Sequence, residues 1–256
     1  MLPLSTMAVL CAAFFFSGAV DAVCGGGGLI SIPVLMMTGV PAHSIMGINQ
    51  CVSTPGIFLS YVKYRKSGFI SHRPAICAAV VSLAGSALGA RINLLIPEFI
   101  LKIILIALVP LIGGIVLFCR NLGAENRMEE LSVRTITLWS LVIGFFIGLY
   151  QGFYGAGSGT LFLLAFSLIL KMDLVTASGT TKFVLIAAVT MGAVTYALSG
   201  VVIWPIVLPA VLFNVAGSCV GTIIAVRKGA RIIRPMFAVI LVLLVIRIIS
   251  DLAAGA

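Results

Sequence analysis

The feature that most limits this chain is a succession of ten apolar runs, near residues 4–23, 28–39, 43–62, 73–95, 98–119, 135–154, 159–170, 174–198, 203–226 and 232–250. A helix of about 20 apolar residues spans the hydrocarbon of a bilayer. With 61% hydrophobic and 9% charged residues and a mean hydropathy of +1.26, the runs exceed what one water-soluble core could hide, so lipid has to be the solvent. Each run must then satisfy its own backbone, which favours helices. The expectation is an all-α, polytopic membrane protein with about 8–10 transmembrane segments and no soluble domain. The first run lacks the basic start of a secretory leader and reads as a membrane segment.

The formal charge of +9 comes from Lys and Arg placed between the runs, where they act as topology signals facing anionic lipid and cytoplasm. They form no continuous basic face, so no nucleic-acid partner is expected. Cys11, Cys24, Cys51, Cys77, Cys119 and Cys219 are scattered without metal-ligand spacing, and only His43 and His72 could join them. We expect no metal, no cofactor and no catalytic constellation; the chain does not read as an enzyme.

The second five runs repeat the first five. Gly47, Ser67-Gly68, Gly85-Ser86 and Gly89 recur 132 residues later as Gly179, Ser199-Gly200, Gly217-Ser218 and Gly221, while Gly18 and Gly25 match Gly148 and Gly155 at a spacing of 130. The division is 1–120, a linker 121–134, and 135–256. Equivalent loops carry opposite charge character. Lys63, Arg65, Lys66 and Arg73 make one loop basic, whereas its counterpart Ser199 to Trp204 is uncharged; one loop later Arg227, Lys228, Arg231 and Arg234 reverse the contrast. Lys and Arg mark cytoplasmic loops, so the repeats are predicted to be inverted, each with an odd number of crossings. The first two runs of each half then form a short broken hairpin, both termini lie outside, and the linker is cytoplasmic.

Those hairpins break at Cys24-Gly25-Gly26-Gly27-Gly28 and at Tyr154-Gly155-Ala156-Gly157-Ser158-Gly159. Glycine costs a helix about 1 kcal/mol relative to Ala, and broken backbone at membrane depth is tolerated only against protein or a cavity. The helix that restarts presents unpaired N–H groups, a site suited to an anion. A second matched pair of segments carries polar stripes. Asn49 with Ser53, Gln50 with Thr54, Thr176 with Thr180, and Ser178 with Lys182 are each four apart and share a helical face. Such stripes should face the protein interior. The candidate substrate-binding residues are Gly25, Gly26, Gly27, Gly28, Asn49, Gln50, Ser53, Gly157, Ser158, Gly159, Thr180, Thr181 and Lys182. Lys182 lies about 12 Å into its segment; it either snorkels to the surface or neutralises a bound anion, with Gln50 as its uncharged counterpart. Asp21, matched by Gln151, is a candidate for coupling to a proton or for pairing with Lys182. Gly85-x-x-x-Gly89, Gly217-x-x-x-Gly221 and Gly144-x-x-x-Gly148-x-x-x-Gly152 read as close helix contacts.

With these segments in order, the sequence resembles the TauE/SafE sulfite exporter family of permeases. The resemblance runs through Gly25-Gly26-Gly27-Gly28-Leu29-Ile30-Ser31-Ile32-Pro33, Gly39-Val40-Pro41, Tyr64-Arg65-Lys66-Ser67-Gly68, Gly85-x-x-x-Gly89-Ala90-Arg91 and Thr181-Lys182. It departs at Ala156 and Ser158, which interrupt a glycine run usually denser in the family, and at Gln50, which stands in place of a small hydroxyl residue. It implies a bacterial inner-membrane permease for a sulfur-containing anion such as sulfite, sulfoacetate or another organosulfonate. The partners expected are the small anion, a coupling proton and membrane lipid. The contrasting reading is an anion channel or a membrane assembly partner.

Overall fold

Glycine and charge set the helix ends. A computed structural model of the chain describes residues 3–101 and 126–228. Among them are eight α-helices: α1 Leu4–Cys24, α2 Gly28–Met36, α3 Ala42–Lys66, α4 His72–Leu95, α5 Val133–Phe153, α6 Ser158–Leu168, α7 Leu174–Leu198 and α8 Trp204–Lys228, with a 3₁₀ turn at Met128–Glu130. The runs at 102–119 and 232–250, and with them Arg120, Arg231 and Arg234, lie outside the described residues.

Local chemistry explains the boundaries. Gly25 ends α1 in a left-handed conformation at φ 78°, its N–H bonded to the Asp21 carbonyl. Asp173 starts α7 by accepting from the N–H groups of Val175 and Thr176 at 3.0 Å each, and Ser132 caps α5 through the Thr135 N–H. The short helices α2 and α6 stop earlier than their apolar runs. After α6, Lys171 takes a left-handed turn at φ 54°; the Ser167 hydroxyl donates to the Met172 carbonyl and the Met172 N–H to the Phe166 carbonyl.

Among the described residues, five helices are long and apolar enough to cross a membrane: Ser5–Val23, His72–Leu95, Val133–Phe153, Leu174–Leu198 and Trp204–Arg227. The protein is therefore polytopic and all-helical over the described residues. Helix α3 has the same 25-residue length as α7 but falls outside this group because its sequence is more polar. Its Asn49, Gln50, Ser53 and Ser60 are all buried, while Val80, Phe146, Leu208 and Leu212 on other helices are exposed. Polar inside and apolar outside is the arrangement a lipid solvent selects.

Two helix pairs pack parallel and most intimately, α4 with α5 and α1 with α8. Gly144, Gly148 and Gly152 of α5 abut Ala78, Ser82 and Ser86 of α4 in turn; a Cβ on Gly148 would come within 2.7 Å of the Ser82 Cα. On the other side Asn214 and Ser218 donate to the carbonyls of Phe14 and Gly18, and a Cβ on Gly217 would lie 2.8 Å from the Phe15 carbonyl carbon. The small-residue spacings are thus close helix contacts. Each pair joins the last described helix of one half to the first helix of the other. Between the pairs, α3 and α7 run antiparallel: Gly47 meets Tyr196, Cys51 meets Ala193, and Tyr64 meets Ser178.

Candidate functional site

The interrupted backbones meet at the centre of this bundle. Gly25 lies against Gly159, and a Cβ on Gly28 would stand 2.8 Å from the Ala156 Cα, so Gly25, Gly28 and Gly159 admit no side chain. Helices α2 and α6 restart here. Gly25, Gly155 and Gly157 all adopt positive φ, which lets each chain reverse within a few residues.

Around this junction the side chains form two stations. In one, the buried Lys182 of α7, 1% exposed, donates from Nζ to the main-chain carbonyl of Asp21 on α1. The Asp21 carboxylate accepts from the Gly27 N–H at 3.3 Å, at the start of α2, and lies within electrostatic reach of the Lys182 charge. In the other, Gln50 of α3 donates from Nε2 to the main-chain carbonyl of Gln151 on α5 at 2.7 Å. Gln151 returns a bond from its own Nε2 to Gln50 Oε1 at 2.9 Å, and its Oε1 accepts from Ser158 at the start of α6. The same bond, from a helix side chain to a carbonyl before a glycine tract, is made twice. One copy is charged and the other neutral.

A cavity of about 10 Å³ opens between the stations, space for about one water molecule. Asp21, Gly28, Asn49, Gln50, Ser53 and Ser158 line it, as the polar stripes suggested. Gln151, Gly155, Ile57, Leu185 and Val189 complete the lining. Gln151 was legible only as the positional counterpart of Asp21; its part in the wall is set by the packing of α5 on α4, which spacing along one helix does not encode. Lys182 turns inward rather than snorkelling. Asn49 is held by Ser31, whose Oγ donates to Asn49 Oδ1 at 2.6 Å. Several predicted residues have other employment. Thr180 accepts from the Ser71 N–H at 3.1 Å, tying α7 to the loop before α4, and Gly25 and Gly159 serve the backbone contact. Thr181 is buried with no partner for its hydroxyl, and Gly26, Gly27, Gly157, Thr181 and Lys182 are not cavity-lining residues; Lys182 meets the cavity only through Asp21, to whose carbonyl it donates. No cluster of three or more metal-ligating side chains occurs among the described residues.

Fold and site together define a class: a multi-pass membrane protein with a charged polar site where broken helices meet, the construction of a protein that handles a solute. The chain belongs to the sulfite exporter TauE/SafE family, whose model matches residues 10–248, and it is a membrane transporter of that type. It is 30% identical over 247 residues to the "Probable membrane transporter protein ORF9" of Sinorhizobium sp, covering 96% of this chain and 93% of that protein. It is 29% identical over 245 residues to a "Probable membrane transporter protein" of Haemophilus influenzae, covering 96% and 95%, and 26% identical over 235 residues to "Probable membrane transporter protein YfcA" of Escherichia coli, covering 92% and 86%. No solved structure matches the chain.

Proposed function

We propose that the protein is a permease for a small sulfur-containing anion such as sulfite, sulfoacetate or another organosulfonate, working by alternating access at a midplane site between two inverted repeats, 1–120 and 135–256. The observation that carries this reading is the Lys182 station. A buried ammonium stands beside a helix N-terminus whose Gly27 N–H is already occupied by a carboxylate from the chain itself. Helix starts and buried cations favour negative charge. The Asp21 carboxylate occupies a place that a substrate oxyanion would also suit.

Competition between the two carboxylate-like groups supplies a coupling mechanism. While Asp21 is ionised, it balances Lys182 and holds the Gly27 N–H. A proton on Asp21 cancels its charge, weakens its hold on that N–H and leaves Lys182 in excess, so an anion enters as a neutral sum with the proton. The cavity has room for about one water molecule, less than a sulfonate headgroup needs. Binding therefore requires the helices to part, as in alternating access.

Inversion is supported by the antiparallel course of α3 and α7 and by the reciprocal parallel pairs, α4 with α5 and α1 with α8. Orientation is supported at one end of the bundle. There Arg127 donates its N–H to the Lys171 carbonyl at 2.9 Å and Ser71 reaches Met128, gathering the basic loop after α3, the linker and Lys171 on a single side. Placing that side in the cytoplasm of a bacterial inner membrane leaves the start of α1 outside and the end of α8 inside.

The test is uptake of radiolabelled sulfite or a sulfonate into proteoliposomes. The wild type should show saturable flux and Lys182→Ala should lose at least about tenfold, the worth of one hydrogen bond to a charged group. Unchanged flux would remove Lys182 from the mechanism, and non-saturable flux would turn the reading to a channel.

A further inference from the structure

The wall of the central cavity carries the two spacings that relate the halves of the sequence. At a spacing of 130, Asp21 is answered by Gln151 and Gly28 by Ser158; at 132, Ser53 is answered by Leu185 and Ile57 by Val189. Each of these pairs has both members in the wall, so the cavity sits where the halves are interchangeable. The three remaining lining residues lack that reciprocity. Asn49, Gln50 and Gly155 face the cavity, whereas their counterparts Thr181, Lys182 and Gly25 are buried beside it and do not. The three that face it belong together, because α3 of the first half leans on the glycine tract of the second through the bonds between Gln50 and Gln151. The three that do not face it form the corresponding group, α7 on the first tract. The two groups also differ in packing. Asn49 accepts from the Ser31 hydroxyl at 2.6 Å, but the Thr181 hydroxyl, at 1% exposure, has no partner. A Cβ on Gly155 would meet its neighbours only at 3.2 Å, while one on Gly25 would overlap the Gly159 backbone. One group is open to the cavity and the other is shut.

We propose that the shut group is a latent face of the anion site: Thr181, Lys182 and Gly25 line the cavity when the protein opens to the opposite side of the membrane, and Asn49, Gln50 and Gly155 withdraw. This rests on the anion-permease reading and on the inverted repeats that go with it. A two-fold axis in the membrane plane turns one face of the membrane into the other, so two halves that trade conformations convert a state facing one side into a state facing the other. The asymmetry among the lining residues then inverts, while the four reciprocal pairs stay at the wall in both states. The Thr181 hydroxyl gains an anion oxygen to donate to, and a buried hydroxyl is penalised until it has such a partner. The Lys182 ammonium meets the anion directly instead of through Asp21. One state therefore offers the anion two amides, and the other a hydroxyl and a charge.

The experiment measures flux of radiolabelled sulfite and of methanesulfonate in proteoliposomes that hold the full-length protein in one orientation, started from each face in turn. The proteins compared are the wild type, Thr181→Val, Thr181→Ser and Asn49→Ala. Valine has the shape of threonine and removes a hydroxyl that has no partner in this state, so Thr181→Val should melt, without anion, at or above the wild-type temperature. Its KM should rise about tenfold from one face and less than about twofold from the other, the loss of one hydrogen bond to a charged group in a single state. Thr181→Ser should recover the wild-type KM, and Asn49→Ala should raise KM from the opposite face. Should Asn49→Ala melt far below the wild type, the two Thr181 variants decide alone. A Thr181→Val effect of equal size from both faces or from neither, or an Asn49→Ala effect that is not confined to the opposite face, would overturn the latent face and leave the permease reading standing on the saturable flux. A Thr181→Val protein that melts well below the wild type would mark the hydroxyl as structural and overturn it as well. No saturable flux of either anion in the wild type would refute both.

Discussion

The Lys182–Asp21 station and the Gln50–Gln151 station occupy corresponding places in the two halves and make the same bond to a helix-end carbonyl, yet differ in charge. Geometry was kept while chemistry diverged. Two charged stations would bury a second cation and a second carboxylate where the glycine tracts meet, at a desolvation cost of several kcal/mol per ion. One charged and one neutral station allows a single anion to be attracted from one side and oriented from the other. The difference teaches that, under the proposed duplication, position is kept where groups stand and function enters through the positions where the two halves disagree.

The comparison breaks most readily at Lys182. Lys182→Gln makes the two stations alike and neutral, and anion flux into proteoliposomes should fall by about 100-fold, the upper range for loss of a hydrogen bond to a charged group. Flux within a factor of a few of wild type would show that the charge asymmetry is incidental. Asp21→Asn should leave the anion able to bind but flatten the dependence of flux on external pH, with about tenfold less accumulation under an imposed proton gradient, the equivalent of about 1.4 kcal/mol. Retained pH dependence would locate coupling elsewhere.

Smaller effects separate the two glycine tracts. Gly25 and Gly155 share a positive φ, at 78° and 80°, but a Cβ on Gly25 would overlap the backbone of Gly159, whereas one on Gly155 would meet the amide nitrogens and main-chain oxygen of its neighbours only at 3.2 Å and beyond. Gly155→Ala should cost about 1–2 kcal/mol from the left-handed conformation alone. Gly25→Ala should lower the melting temperature further, because rigid backbone has to move. Equal losses would mean that the contact between the tracts is not tight.

Smallest of all is Glu130→Gln. Glu130 and Lys171 are paired at 2.7 Å on the surface, and this bond holds the Glu130 carboxyl below its usual range. A lowered folded-state value means the stabilisation is complete above the ordinary carboxylate pKa and disappears as pH falls through the lowered one. The variant should match wild-type melting at strongly acid pH and differ by little more than measurement error near neutrality, as exposed pairs do.

Much of the fold was legible because lipid imposes simple rules. The run 174–198 became α7 with those bounds, and the spacing of 132 aligned α3 with α7. Burial of Asn49, Gln50, Ser53 and Lys182 followed from polarity on apolar helices. Neighbours were harder to read, since helical spacing identifies a face and not what the face meets. Thr180 has the same pattern as its cavity-side relatives, yet its hydroxyl is consumed by Ser71. Gln151 is one polar residue on an apolar helix, and only the approach of α5 to α4 through Gly148 and Gly152 carries it to the wall.

That reciprocal glycine packing also bears on biogenesis. As the ribosome extends the chain, α1 and α4 enter the membrane long before α8 and α5, the helices against which their backbones finally rest. The early product must therefore wait with its small-residue seams covered by lipid, and the seams close only when the later segments arrive. Neither half is a finished module. Separately expressed halves should need each other's presence in the same bilayer to escape quality control, each completing the seam that the other leaves open.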